Sequence, residues 1–304
     1  MDKVGLVTIT YNSADVLQPF LDSVWSQTHE NLTLYVVDNL STDNTLDILV
    51  NDKDSRLIVS KNAINFGVAK ANNQGIKKAI DDGCNQILII NNDVEFETTL
   101  IEKLLKVQED KCCSLVSPKI MYFEKPNHIW YAGSWFDKSK GYLPSHRGMG
   151  ELDKGKYDKT VEVEYAPTCC LLVKKEVFKD VGLMNEKYFV YFDDTDFSYR
   201  VWKNSRHKIF YYPYVEFYHK VGSLTKSFDK QKGRTYRGDF FIKQNTRNHV
   251  YFLKQIGSFF SFIFIFWLFF KNNIKFMINS QIRKNLSTWW LINKSYFEGI
   301  LMKK

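Results

Sequence analysis

Short apolar blocks and helically spaced apolar positions alternate over residues 1–120. Val4 to Thr10 is a mostly apolar, β-branched run that ends in Tyr11-Asn12-Ser13, the pattern of a buried strand feeding a helix cap. From Ala14 to Gln27 the apolar residues Val16, Leu17, Phe20, Leu21, Val24 and Trp25 recur at helical spacing. Leu32 to Asn39 reads as a second strand, with a helix starting at STDNT, and Arg56 to Ser60 as a third, followed by a small-residue helix from Gly67 to Ile80. Gln86 to Asp93 is the fourth. Strands without period-two polarity that alternate with helices predict an α/β fold with a parallel sheet covered on both faces. Ligands of such sheets bind beyond the carboxyl ends of the strands. Those ends are polar here: Thr10-Tyr11-Asn12, Asp38-Asn39 and Asn91-Asn92-Asp93. A single Asp after a strand is ordinarily a cap or turn former. Three polar endings together predict one shared crevice, and Glu95 reads as the start of the turn that follows.

Composition adds a compartment and an asymmetry. With 304 residues, 44% hydrophobic and 25% charged, the chain is globular and long enough for one large domain or a domain with an appendage. The opening apolar run stops after about seven residues, too few for a secretory h-region. Five cysteines, two adjacent pairs among them and no CxxC spacing, fit buried thiols in a reducing compartment rather than disulfides or zinc. The net charge of +8 is uneven: residues 231–304 hold thirteen Lys or Arg against Asp239 and Glu298, a net of +11, which leaves −3 for the rest. Within that tail, Ile256 to Phe270 is 15 residues without a charge, flanked by Lys254 and Lys271. That is short of the roughly 20 residues a bilayer crossing takes, so a monotopic or re-entrant segment at a headgroup interface is expected, with a buried core helix as the competing reading. The negative N-terminal body and the lack of a binding motif argue against nucleic acid as a partner.

Four of these stretches, VTITYN, VVDNLSTDNT, the run from Asn65 to Gly75 and INNDVEF, together with Ala166 to Ser223, resemble in order and spacing the family 2 glycosyltransferases. These are inverting enzymes with a GT-A fold, and the likeness is strongest to the rhamnosyl- and galactofuranosyltransferases of bacterial surface polysaccharides. The resemblance implies a GT-A domain over residues 1–228, with a nucleotide-sugar half to about 120 and an acceptor half beyond it. Residues 229–304 then form a basic, aromatic-rich helical region holding the protein to the inner, cytoplasmic face of the cell membrane.

Site roles follow residue by residue. The resemblance makes Asp38 the contact to a uracil or thymine base, with Thr10, Tyr11 and Asn12 lining the same pocket. Asn65, Gly67 and Asn92 come near the nucleoside, where glycine lets backbone approach. Asp93 matches the last acid of the family's DxD motif and His219 a second metal ligand, for Mn²⁺ or Mg²⁺. Asn91 stands where the motif has its first acid. Asp194 matches the general base that takes the acceptor proton, Asp193 orients it, and Asp196 and Trp135 lie on the acceptor side. Arg247 reaches for the diphosphate. Processive relatives carry QxxRW where this chain has Gln244 to Asn248, QNTRN, which implies addition of one or a few sugars. Thr168-Cys169-Cys170 replaces a small Gly-Ala pair. The implied partners are a UDP- or dTDP-sugar donor and a polyprenyl-diphosphate-linked glycan acceptor. Two other classes stay open: a nucleotidyltransferase, although TITYNSADV has no glycine- and lysine-rich phosphate loop, and a non-catalytic nucleotide-sugar binder.

Overall fold

The apolar blocks of the N-terminal half form strands and the helically spaced stretches form helices, in a computed structural model that describes residues 2–222, 228–229, 234–235, 238–278 and 286–303. Strands β1 (Val4–Thr10), β2 (Leu32–Asp38), β3 (Leu57–Lys61) and β4 (Gln86–Ile90) alternate with α1 (Ala14–Trp25), α2 (Thr45–Asn51) and α3 (Val68–Asp81). The chain continues through β5 (Val94–Phe96), α4 (Leu100–Asp110), β6 (Leu115–Pro118), β7 (Ile120–Tyr122), β8 (Ile129–Tyr131), β9 (Phe136–Asp137) and β10 (Leu143–Pro144). Next come β11 (Val161–Val163), β12 (Cys170–Lys174), α5 (Lys175–Val181), α6 (Asp193–Asn204), β13 (Ile209–Tyr212) and β14 (Phe217–His219). Three further helices are α7 (Asp239–Ile256), α8 (Phe259–Ile278) and α9 (Leu286–Leu301).

An eight-stranded sheet in the order β11-β13-β6-β12-β4-β1-β2-β3 carries the main core. Only β12 and β11 run against the other six strands, so the sheet is mostly parallel, as the unbroken apolar runs predict. Small residues set how closely α3 lies on it: a Cβ on Gly75 would meet Val7 at 2.5 Å, and one on Gly5 would meet Ala79 at 2.7 Å. A second sheet, β5-β14-β7-β8, forms beside the first. It corrects the reading of Glu95, which is no turn residue: buried Val94 and Phe96 flank it in β5 with strand alternation, and its carboxylate pairs with Lys220 at 2.6 Å. Of the cysteines, Cys84, Cys113, Cys169 and Cys170 are buried free thiols as expected, whereas Cys112 is exposed.

The C-terminal helices are not a detached appendage. Val250 to Leu253 of α7, Ile265 of α8 and Tyr296 of α9 share a second apolar core with Tyr142, Tyr188 and Phe192. The expected apolar segment also shifts. Gly257, at φ 64°, ends α7 inside it, and α8 then runs for 20 residues past Lys271. By length and composition this one helix is able to cross a membrane, and only 12% of its apolar window is buried against the chain. The buried-core-helix reading therefore does not hold for α8.

Candidate active site

The order β4-β1-β2 places three polar strand ends side by side, which is the convergence their sequence predicts. Thr10 and Asp38 are register partners, and the Thr10 hydroxyl donates to Asp38 Oδ1 at 2.8 Å. Asn92 Nδ2 donates to the Ile9 carbonyl at 2.7 Å, tying β4 to β1. Asn12, in left-handed backbone at φ 53°, accepts from Thr42 N at 2.8 Å and donates its own N–H to Ser41 Oγ at 2.9 Å. Tyr11 stands at the rim, 48% exposed. Asp38 itself is fully buried, and its two carboxylate oxygens already accept from Thr10, Ser41 N and Ser41 Oγ. In this conformation Asp38 is buried beneath the Thr10 and Ser41 hydroxyls, and Oδ2 keeps one acceptor site beyond its bond from Ser41 N.

Gly67 has a different neighbour from the one expected. Asn65 Oδ1 accepts from Gly67 N at 2.9 Å, an Asx turn that sets φ at +81°, and a Cβ there would meet the Phe189 carbonyl at 2.3 Å. The close approach that demands glycine is therefore the backbone of the acceptor half. Asn39 braces the same turn, donating to Gly67 O at 3.0 Å and accepting from Phe66 N at 3.2 Å.

Asp93 and His219, 126 positions apart in sequence, meet because β5 and β14 are paired. Their Oδ1 and Nε2 atoms lie 3.4 Å apart, and both side chains are buried. That spacing suits two neighbouring ligands on one cation bound at about 2.1 Å. Two buried polar atoms here, His219 Nδ1 and Asn92 Oδ1, make no hydrogen bond. The residues thus fit a divalent metal as a two-ligand set; among the described residues no third His, Cys, Asp or Glu completes a cluster. Burial opposes a charge on His219, but its neighbours Cys169 and Asp93 outweigh it and favour the imidazolium.

The acids of α6 are brought to the same crevice by a single segment. Tyr165 OH donates to Asp194 Oδ2 at 2.7 Å, and four residues on, the Cys169 carbonyl accepts from Asn91 N at 3.1 Å. Four extended residues span at most about 14 Å, which bounds the backbone separation of Tyr165 and Cys169. Trp130 packs edge-on against both His219, at 4.8 Å, and His146, at 4.6 Å, and His146 in turn stacks on Tyr165. Burial pushes His146 down to about 4, so it is a neutral wall of the site. Tyr165 gave no signal in the sequence, since a tyrosine ahead of an apolar strand reads as core.

Asp193 and Asp194 open α6 behind two consecutive non-glycine residues in left-handed backbone, Tyr191 at φ 64° and Phe192 at φ 69°. Each such residue costs on the order of 1–3 kcal/mol and persists only where its surroundings hold it. α7 does the holding: Asn248 Nδ2 donates to the carbonyls of Val190 and Tyr191, both at 2.9 Å, while Phe192 stacks on His249 and packs on Phe252. Asp194 Oδ1 accepts from Thr195 N at 2.6 Å. Burial raises the Asp194 carboxyl, but the Tyr165 and Thr195 bonds favour its charged form. Asp193 has no such help; burial, then the Asp194 charge, pushes it up to about 8. The pair therefore ionises at Asp194 first, and burial is the main cause of both shifts.

A stability test follows with a definite sign. A carboxyl raised in the folded state favours folding while protonated, and that contribution is lost as pH rises from the ordinary carboxylate range through about 8. Asp193→Asn is expected to gain stability over the parent between pH 5 and pH 9, read as a growing gap in urea midpoints. A gap independent of pH would count against a buried, raised Asp193.

Asp196, Arg247 and Trp135, the remaining predicted site residues, make contacts of their own. Asp196 is buried and ion-paired with Arg200 at 2.8 Å, and that guanidinium also binds the Leu183 carbonyl. It ties α6 to the segment after α5 through Arg200, to which its carboxylate is committed. Arg247, among the described residues, hydrogen-bonds within its own helix, to Gln244 Oε1 at 2.6 Å and Asn248 Oδ1 at 2.9 Å. Trp135 is 38% exposed and lines a separate cleft.

A mostly parallel sheet with an antiparallel β12, a polar crevice at its carboxyl edge and an acid pair opening α6 define a GT-A fold. The chain belongs to the family described as Glycosyl transferase family 2, whose model matches residues 6–182. Among curated relatives it is similar to the low-salt glycan biosynthesis hexosyltransferase Agl10 of Haloferax volcanii, at 25% identity over 66% of this chain and 62% of that one. It is also similar to the dTDP-rhamnosyl transferase RfbF of Shigella flexneri, at 24% over 65% and 62%. A shorter match, 33% identical over 36% of this chain and 42% of the other, is to the UDP-Glc:alpha-D-GlcNAc-diphosphoundecaprenol beta-1,3-glucosyltransferase WfaP of Escherichia coli. The chain thus spans about three fifths of the length of the first two. Among solved structures, S. aureus TarS 1-349 in complex with UDP-GlcNAc shares the fold with TM-score 0.57 at 16% identity, covering 98% of this chain and 81% of that one. GalNAc-T7 with UDP, GalNAc and Mn2+ does so with TM-score 0.58 at 14% identity, over 82% and 51%.

Proposed function

We propose that this chain is an inverting, non-processive glycosyltransferase that moves a hexosyl or deoxyhexosyl group from a UDP- or dTDP-sugar to a hydroxyl of a polyprenyl-diphosphate-linked glycan in surface polysaccharide assembly. The observation that carries it is the convergence of Asp194, held by Tyr165, with the Asp93–His219 pair across one five-residue segment. Asp194 takes the proton of the acceptor hydroxyl as that oxygen bonds to the anomeric carbon, whose bond to the diphosphate oxygen breaks on the opposite face. Asp193, still protonated near neutral pH, leaves Asp194 as the single carboxylate of the pair. Asp93 and His219, the latter giving up its proton, would hold a divalent cation, which would neutralise the charge growing on the diphosphate. The names of RfbF and WfaP support a dTDP- or UDP-sugar donor, and that of WfaP supports a lipid-diphosphate acceptor.

Release of nucleoside diphosphate from a panel of UDP-, dTDP- and GDP-sugars tests this. Release with a UDP- or dTDP-sugar, lost in EDTA and restored by Mn²⁺, is expected; formation of nucleoside triphosphate only when pyrophosphate is added marks a nucleotidyltransferase, and binding without release a non-catalytic protein. Calorimetric titration of Mn²⁺ with UDP present should lose its heat in Asp93→Asn, and unchanged titration would reject the metal role.

The exposed apolar face of α8, with Phe262 and Phe266, supports attachment to the inner face of the cell membrane. Deleting the tail is a poor test, because Ile265 and Tyr296 belong to the second core. The double substitution Phe262→Asp, Phe266→Asp should instead abolish co-sedimentation with anionic phospholipid vesicles at unchanged melting temperature. Undiminished co-sedimentation would remove the membrane role from this face.

A further inference from the structure

A cleft of about 650 Å³ beside α6 is lined by Trp135, Phe136, Asp137, Lys138, Glu164 and Trp202, none of which belongs to the donor crevice. It lies one ring away from the base: Phe136 packs edge-on against Tyr165, at 6.4 Å between centroids, and tilts over Trp202 at 5.6 Å. Trp202 is eight residues beyond Asp194 on the same helix, about 12 Å along its axis. That is the length of about two pyranose units, not one. The walls also have saccharide chemistry. A pyranose presents an apolar C–H face to an aromatic ring, and exposed Trp135 and half-buried Trp202 offer two such rings. Its hydroxyls both donate and accept, and Glu164 and Asp137 offer acceptors while Lys138 and Lys140 offer donors at the same place. The volume is that of an ordinary small-ligand site.

The lip of the cleft touches α8: the 3-10 turn Lys138–Lys140 ends at Gly141, where an added Cβ would meet Phe264 of α8 at 2.3 Å.

We infer that this cleft is a subsite for an internal sugar of the acceptor glycan, so that the preferred acceptor carries at least two sugars; the inference rests on the transferase reading. The test uses the full chain with three uncharged probes, maltotriose, cellotriose and chitotriose, followed by tryptophan fluorescence and saturation-transfer NMR. At least one is expected to bind saturably, and Trp202→Leu is expected to weaken it about tenfold or more, a loss near 1.4 kcal/mol. Trp135→Leu, which removes an exposed ring at little cost to the fold, should weaken the same probe. Binding of none of the three, or binding indifferent to both substitutions, overturns the subsite. A chain that releases nucleoside diphosphate yet binds no trisaccharide refutes the subsite alone. One that binds a trisaccharide at the cleft yet releases none refutes the transferase reading alone.

Discussion

Asp194→Asn is expected to lower the rate of sugar transfer by about 10²–10⁴-fold, the range a positioned general base contributes, with donor binding nearly unchanged. The substitution is nearly isosteric: Asn Oδ1 still accepts from Thr195 N, which donates at 2.6 Å, and the Tyr165 hydroxyl, now at 2.7 Å from Oδ2, can turn to accept from Nδ2, so the loop should hold its shape. What it removes is the only carboxylate of the pair that ionises readily. Asp193 is no substitute, because burial, the largest cause of its raised pKa, remains after the Asp194 charge is removed. The measurement is single-turnover transfer alongside titration of UDP. Turnover within tenfold of the parent would move the base elsewhere, and lost UDP affinity would show that Asp194 shapes the donor pocket instead.

The second large effect is expected at a residue remote from any bond that changes. Asn248→Ala strips two hydrogen bonds from the Val190 and Tyr191 carbonyls, just ahead of two residues in left-handed backbone. Leaving those carbonyls without a partner costs about 1–3 kcal/mol each, comparable to the strain that Asn248 offsets. The loop then relaxes and the start of α6 shifts. The expected result is a fall in kcat of at least about tenfold, since small displacements of a catalytic group cost that much or more, with donor KM little changed. The pH profile separates positioning from simple loss of stability: a relaxed loop admits water to Asp193, and its pKa drops back toward the ordinary carboxylate range. A variant less stable but normal in kcat and pH profile would leave Asn248 as scaffold only.

This dependence on α7 explains why the chain's composition misled about its organisation. Charge and aromatic content change near residue 229, and a boundary there is what the sequence suggests. Packing ignores it. Phe192 of the acceptor half stacks on His249 of the tail, and Tyr142, Tyr188 and Phe252 lie in one core. The second half of QNTRN reads in sequence as a diphosphate contact through Arg247; in the fold, Asn248 beside it makes the bonds that matter to the acids. No local pattern distinguishes these two roles, because both are hydrogen bonds from a helix and differ only in what the helix is packed against.

Other parts of the site were legible for good reason. Thr10, Asp38 and Asn92 were grouped correctly because strand ends of a parallel sheet lie at one edge whatever their order. The Asp93–His219 contact was implied by motif order and required the pairing of β5 with β14 to become a distance. Glu95 and Asp196 failed in the same way as each other. Each carboxylate was read by its neighbours in sequence, and each is committed to a cation, Lys220 and Arg200, that only the fold brings near.

What the sequence by itself determined is therefore periodic and local: the strands and helices of the first half, the small residues that let α3 lie on β1, the polar carboxyl edge, and the uncharged run that became α8. These follow from side-chain spacing, which acts over a few residues. The tertiary structure alone decided which groups became chemically distinct. Asp193 and Asp194 are adjacent and identical in sequence, yet Tyr165 and Thr195 reach only Asp194, and burial leaves Asp193 holding its proton. Burial and long-range hydrogen bonds depend on the whole packing, and that is why the division of labour between two neighbouring aspartates appears only in three dimensions.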